Sequence, residues 1–221
     1  MRIVTKLFDS DIELNENDVL ELVIENHRVL YSLLSDIYDQ IQGYEGDTIL
    51  AENDEIIKIS KKIELITNYI PFELNEKRLI TKLQAMLEKE AVNTDNFEKT
   101  MGLLADIERY IYGLSEVLPY ELDFSGINIS ALIKMCGLTI VDDSISVIER
   151  IYNYMNIVRD LLGERLFIFA NIRSYFNDND LQSFIDTVLL HKFNVLLIDH
   201  SDGKKLNGMR KIIVDNDLCV I

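Results

Sequence analysis

The stretch FNVLLIDHSD, residues 193–202, is apolar from Phe193 to Ile198 except for Asn194 and stops abruptly at Asp199. A short apolar run without alternation, closed by polar residues, reads as a strand buried on both faces, the kind found in parallel sheets covered by helices. In nucleotide-hydrolysing enzymes such a strand often ends in the acid that holds magnesium. Whether that chemistry is present depends on the rest of the chain.

Upstream, VLELVIEN (19–26) is a second dense run, and RVLYSLLSDIYDQIQG (28–43) after it has helical spacing that ends at Gly43. RIVTKLF (2–8) alternates as a strand does, and DTILAENDEIIKI (47–59) predicts two short strands around a polar turn at Asn53–Asp54. Downstream, RLFIFANI (165–172), DLQSFIDTVLLHK (180–192), FNVLLID (193–199) and KIIVDNDLCVI (211–221) read strand, helix, strand, strand. Apolar strands alternating with helices are the signature of a parallel sheet. The middle is helical. From Asn75 as N-cap, EKRLITKLQAMLEKEAV (76–92) sets Leu79, Leu83, Met86 and Leu87 on one face. After the NTDN break comes FEKTMGLLADIERYIYGLSEVL (97–118), which predicts an antiparallel helical hairpin. Asn128 and Gly137 bracket a shorter helix, and VDDS (141–144) offers caps for ISVIERIYNYMNIVRDLLG (145–163). The expected fold class is α/β, with a parallel-sheet head from residues 1–60 and 138–221 and an inserted α-helical lobe over residues 61–137.

At 221 residues and 48% apolar content, a packed core needs no covalent staples. No apolar run approaches the roughly 20 residues that span a bilayer, and the start, MRIVTKLFDSD, lacks the apolar segment of a signal peptide. A cytoplasmic protein without membrane contact is expected. Cys136 and Cys219 are far apart, with no CxxC pair or histidine cluster, so neither a disulfide framework nor a zinc site is indicated. Cys219, in an apolar run, reads as a core residue.

The net charge of −16 opposes general nucleic-acid binding, because neutralising phosphates needs a basic surface. The charge is unevenly spread: residues 1–55 carry a net −11, 56–90 a net +2, 91–150 a net −6 and 151–221 a net −1. The one basic stretch is IIKISKKIELITNYIPFELNEKRLITKLQAMLEKE (56–90), whose lysines also fit a merely solvated helix face.

A phosphate cradle needs glycines, since several backbone N–H groups must converge on one anion where Cβ atoms would obstruct them. None of the nine glycines falls in a GxxxxGK[ST] or GxGxxG pattern. The junction after the first dense strand reads IENHRVLY (24–31), with neither glycine nor lysine. Asp199 then reads as the start of a polar loop. His27, His191 and His200 are scattered, with no nucleophile at catalytic spacing, and read as surface or loop residues.

Several stretches together resemble one family: LVIEN (22–26), ISKKIELIT (59–67), LNEKRLITKL (74–83), ANIRSYF (170–176), VLLIDHS (195–201) and IIVDNDLCVI (212–221). In order and spacing they are similar to the Csn-two family, the adaptation protein of subtype II-A CRISPR systems. The resemblance implies an α/β head like that of P-loop ATPases without the nucleotide motifs, joined to a helical lobe, and no enzymatic activity. It also implies ring-shaped homotetramers that bind calcium and take double-stranded DNA ends, without sequence specificity, through the central hole. Their role would be spacer acquisition beside the CRISPR integrase proteins and the RNA-guided nuclease.

A tetramer of so acidic a chain must confine DNA to a locally basic channel. Lys58, Lys61, Lys62, Lys77, Arg78 and Lys82, all within the net-positive stretch, are the candidates. Calcium takes about six to eight oxygens from carboxylates and carbonyls. PYELDFSG (119–126) offers Glu121 and Asp123 two apart on an extended segment, with Glu116, Asp142 and Asp143 near in sequence; the last two equally suit helix N-caps. Two other readings stay open, a nucleotide-dependent enzyme with a degenerate P-loop-like fold and a protein–protein scaffold without DNA binding.

Overall fold

The structure is a computed structural model that describes residues 1–8, 11–15, 17–53, 55–123 and 125–221. Asp54 of the expected turn and Phe124 of PYELDFSG lie outside the described residues. The chain divides into two compact units, Met1–Phe72 with Ser144–Ile221, and Glu73–Asp143. The division falls later than residue 60, because the strand Ile63–Ile66 pairs into the sheet of the first unit, and residues 138–143 group with the helices.

The first unit holds two sheets. In the smaller one, β1 (Arg2–Val4) lies between β2 (Ile12–Glu13) and β4 (Ile49–Glu52), and β5 (Glu55–Ile57) pairs antiparallel with β4. The expected strand over residues 2–8 is confined to its first half. The larger sheet has β3 (Val19–Ile24), β6 (Ile63–Ile66), β7 (Leu166–Ala170), β8 (Asn194–Asp199) and β9 (Met209–Val214) in the order β6-β7-β8-β3-β9, with every pairing parallel. The strand that ends in Asp199 thus lies directly beside β3. The terminal run is not one long strand: after β9 the chain turns back, with Asp215 N–H donating to Cys219 and Val214 bridging Val220. Cys219 is consequently exposed rather than in the core.

The near-continuous apolar content of β3, β7 and β8 follows from burial on both faces. On one face, Leu20, Leu22, Ile24, Leu166, Ile168, Leu196 and Ile198 pack against Leu30, Leu33 and Ile37 of α1 (His27–Ile41), together with Ile3, Ile12 and Leu50 of the smaller sheet. On the other, α6 (Val147–Leu162) and α7 (Asp178–Leu190) pack together, and Phe169 meets Phe184 edge-on, with ring centroids 5.2 Å apart. Helix α6 starts at Ser146, whose hydroxyl accepts from Glu149 N–H at 3.1 Å, so Asp142 and Asp143 are not its N-caps. A one-turn α2 (Ile59–Lys62) precedes β6.

The second unit contains α3 (Lys77–Ala91), α4 (Phe97–Ser115) and α5 (Ile129–Met135), with α3 packed most extensively against α5. Asn75 does not cap α3, whose N-cap is Glu76; its amide instead clasps the backbone of Ile140, donating to the carbonyl at 3.0 Å and accepting from the N–H at 2.6 Å. Leu79 is buried, but Met86 and Leu87 of the same expected face are exposed. Asn128 caps α5 through its side chain, and Gly137 closes it with φ +62°.

Leu33, fully enclosed between α1 and the parallel sheet, tests this core. Leu33→Ala should lower the unfolding free energy by about 2–5 kcal/mol in urea denaturation, whereas Tyr31→Ala on the solvent side of α1 should change it by less than about 1 kcal/mol.

Candidate functional site

Asn26 occupies the junction where a phosphate loop would sit. Its side-chain oxygen accepts from the backbone N–H groups of Arg28 at 3.1 Å and Val29 at 3.3 Å, while its amide donates to the Asn216 carbonyl at 3.2 Å. These first-turn N–H groups are the ones that converge on an anion in a nucleotide site. Here the chain's own side chain satisfies them, which is the physical counterpart of the missing glycines.

The face of the sheet under α7 carries a buried ionic cluster. Parallel register sets Glu21 beside Leu197 and Lys211, and Asp199 beside Val23, so Glu21, Asp199 and Lys211 project to the same side. Glu21 is fully buried, with one oxygen on the Arg173 guanidinium and the other 3.1 Å from Lys211 Nζ. Arg173 comes from the 3-10 turn Ile172–Ser174, which follows β7. Both cations reach further: Arg173 donates to the Lys204 carbonyl at 2.8 Å and pairs with Asp178 at 3.2 Å, and Lys211 pairs with Asp202 and donates to the Gly203 carbonyl. Glu21 thus anchors both cations and, through them, the backbone at Gly203 and Lys204.

Asp199, only 2% exposed, shares this layer without a cation of its own, and its Oδ2 has no hydrogen-bond partner. Burial and then the neighbouring Glu21 charge push its pKa up to about 6, against the smaller opposing pull of Arg173 and Lys211. Burial, and then the Asp199 charge, likewise push the Tyr69 phenol upward; its hydroxyl donates to the Ala170 carbonyl at 3.1 Å. His200, next in sequence, is exposed and stacks near His27, with ring centroids 5.7 Å apart. The sequence reading passed over Glu21, Arg173 and Lys211. The available signal was an acid in the middle of VLELVI, a run buried on both sides that obliges a cation to meet it.

The basic residues singled out from sequence divide between the units. Lys58, Lys61 and Lys62 surround α2 in the first, and Lys77, Arg78 and Lys82 lie on α3 in the second. Lys62 is committed to Glu52 at 3.1 Å, and Arg78 to Glu76 at 2.7 Å; Lys58, Lys61, Lys77 and Lys82 are exposed. The acids do not assemble. Glu116 ends α4, Glu121 and Asp123 lie exposed in the coil after it, and Asp142 and Asp143 are exposed upstream of α6. Among the described residues no group of three or more His, Cys, Asp or Glu side chains is placed to hold a metal ion. These five carboxylates of a single chain therefore do not fit a calcium shell on their own.

The raised Asp199 pKa fixes the sign of a pH effect. A folded value near 6 against an ordinary 3.8 means the stabilisation is full below 3.8 and is lost as pH rises through 6. Denaturation should thus find the wild type losing on the order of 2–3 kcal/mol from this group between pH 4 and pH 8. Asp199→Asn should remove that slope and be the more stable protein at pH 8.

Comparison with known proteins agrees over nearly the whole chain. The chain is 25% identical over 207 residues to the CRISPR-associated protein Csn2 of Enterococcus faecalis, covering 90% of both chains. It is 22% identical over 209 residues to the Csn2 protein of Streptococcus agalactiae, covering 90% of this chain and 89% of the relative. In fold it is similar to the crystal structure of Stu0660 of Streptococcus thermophilus, with a TM-score of 0.58 at 15% identity over 97% of this chain and 74% of that one. The family model of the CRISPR-associated protein Cas_Csn2 matches residues 38–218, and the chain belongs to that family.

Proposed function

We propose that this chain is a non-catalytic component of CRISPR spacer acquisition that binds the ends of double-stranded DNA without sequence specificity, as a calcium-dependent ring of four copies. The observation that carries the reading is family membership over residues 38–218, set beside a helix α1 whose anion-binding donors are closed by Asn26. The self-capped junction disfavours a nucleotide-dependent enzyme despite Asp199 at the end of β8. Charge supports a confined DNA surface: with −16 per chain, duplex is repelled except where Lys58 and Lys61, or Lys77 and Lys82, concentrate positive potential.

Assembly is supported by helix α4 and the segment after it, where Leu103, Tyr110, Tyr112, Leu114, Val117 and Tyr120 are all more than half exposed. So much apolar surface on one element marks a face that is covered in use, here by another copy. A closed ring loads duplex only at a free end, which suits supply of DNA ends to the integrase proteins and the RNA-guided nuclease. Since the carboxylates of one chain form no cage, calcium in this reading takes its remaining oxygens from carbonyls, water or a second copy, with Glu121 and Asp123 as the contribution of this chain.

Gel shifts with linear and closed circular duplex of the same sequence test the reading. Binding of the linear form alone, weakening steeply with salt, is expected; equal binding of both forms overturns the ring, and no binding leaves a protein–protein scaffold. Lys58→Glu with Lys61→Glu should weaken binding to ends at moderate salt by tenfold or more. This pair avoids Lys62, whose charge reversal would set two carboxylates together at Glu52. In a thermal-shift titration, Glu121→Ala with Asp123→Ala should abolish stabilisation by calcium; an undiminished shift removes those two residues from the assignment.

A further inference from the structure

We propose that Asp199 is a proton site that latches residues 200–208 across the face of the parallel sheet, held closed with the proton on and released when the proton leaves. The inference is independent of DNA or calcium binding. It starts from connectivity. β8 and β9 are parallel and flank β3, yet they are joined by only nine residues, with no helix in the crossover. A parallel connection ordinarily takes a dozen or more residues, most often a helix packed by its apolar face. Here an extended strap must return over β3, on the side where Glu21 projects, and it brings little apolar surface apart from buried Leu206.

What holds the strap is charge and backbone. Its carbonyls at Gly203 and Lys204 accept from Lys211 and Arg173, the two cations anchored on Glu21. Gln182 of α7 exchanges two hydrogen bonds with Asn207, accepting its N–H at 2.9 Å and donating to its carbonyl at 3.1 Å. The backbone at Gly203 passes so close that a Cβ there would come within 2.7 Å of the Arg173 guanidinium and would have to displace it from its ties. Asp199 sits at the root of the strap, buried, with one oxygen unpartnered. The groups acting on it from the surrounding elements are Glu21 of β3, Arg173 of the 3-10 turn, Lys211 of β9 and Tyr69 after β6. Asp178 and Asp202 stand one step out, on Arg173 and Lys211.

With all of these carboxylates ionised, four anions share two cations. A proton on Asp199 leaves Arg173 and Lys211 committed to Glu21 and to the strap carbonyls. Its loss to solvent places a second buried anion beside the first, in competition for the same two donors. Each donor turned toward Asp199 is a tie withdrawn from Gly203 or Lys204. Opening the strap relieves the conflict by letting water reach Asp199.

Backbone amide exchange of the full chain, corrected for the intrinsic dependence of exchange on pH, reads the latch directly. Protection of the Asn207 amide, the strap N–H that donates to Gln182, should fall about tenfold or more between pH 5 and pH 8, with α1 and β7 unchanged. In Asp199→Asn the strap should keep its low-pH protection throughout. The same fall in that variant, or constant protection in the wild type, overturns the proposal. If Asp199→Asn does not fold, the side-chain carboxyl carbon of Asp199, followed by NMR in the wild type, decides: a titration that coincides with the loss of strap protection supports the latch, and one that does not overturns it.

Discussion

One buried carboxylate organises the larger half of this protein. Glu21 sits in the middle of a strand enclosed on both faces, where an unpaired charge would be untenable, and it draws in Arg173 from the turn after β7 and Lys211 from the neighbouring strand. Through those two cations the same carboxylate reaches the backbone of the crossing at Gly203 and Lys204, and the start of α7 at Asp178. Removing it would leave Arg173 and Lys211 held only by the more exposed Asp178 and Asp202 and loosen their grip on the β8–β9 connection. Asp199 gains its unusual proton affinity first from burial and then from lying beside this first acid.

The larger sheet is wholly parallel, with β8 and β9 on either side of β3 and α1 starting directly after β3. The helix after β3 begins where phosphates would bind, but Asn26 fills its own helix terminus and ties it to Asn216. The acid at the end of β8 is buried and belongs to the internal electrostatics of the Glu21 layer.

The net charge is −16, and the basic candidates fall in different units, Lys58 and Lys61 about α2, and Lys77 and Lys82 on α3. The helical unit combines its lysines with an α4 whose large apolar side chains face solvent. A lone unit of that kind is incompletely satisfied, which is the physical ground for reading it as part of an assembly.

Much of the fold was legible in the chain because burial on both faces leaves an unmistakable run of apolar residues. VLELVI, LFIFA and NVLLID are all strands of one parallel sheet, and Asn128 caps α5 as its position predicts, whereas the helix expected after VDDS takes its cap from Ser146. The blocks that resemble a CRISPR adaptation protein were likewise visible, since they are mostly these same strands and helix starts. Local signals failed where a residue answers to something distant in sequence. Asn75 has the look of a cap but clasps Ile140, and Cys219 has apolar neighbours but lies on a turned-back tail. The cluster of Glu21, Arg173, Asp199 and Lys211 joins positions up to 190 residues apart, a juxtaposition created by strand order alone. The sequence determined which segments must be buried, because hydrophobicity is written residue by residue; which charges meet inside was decided only by the tertiary structure, because a pairing exists only once the strands have found their neighbours.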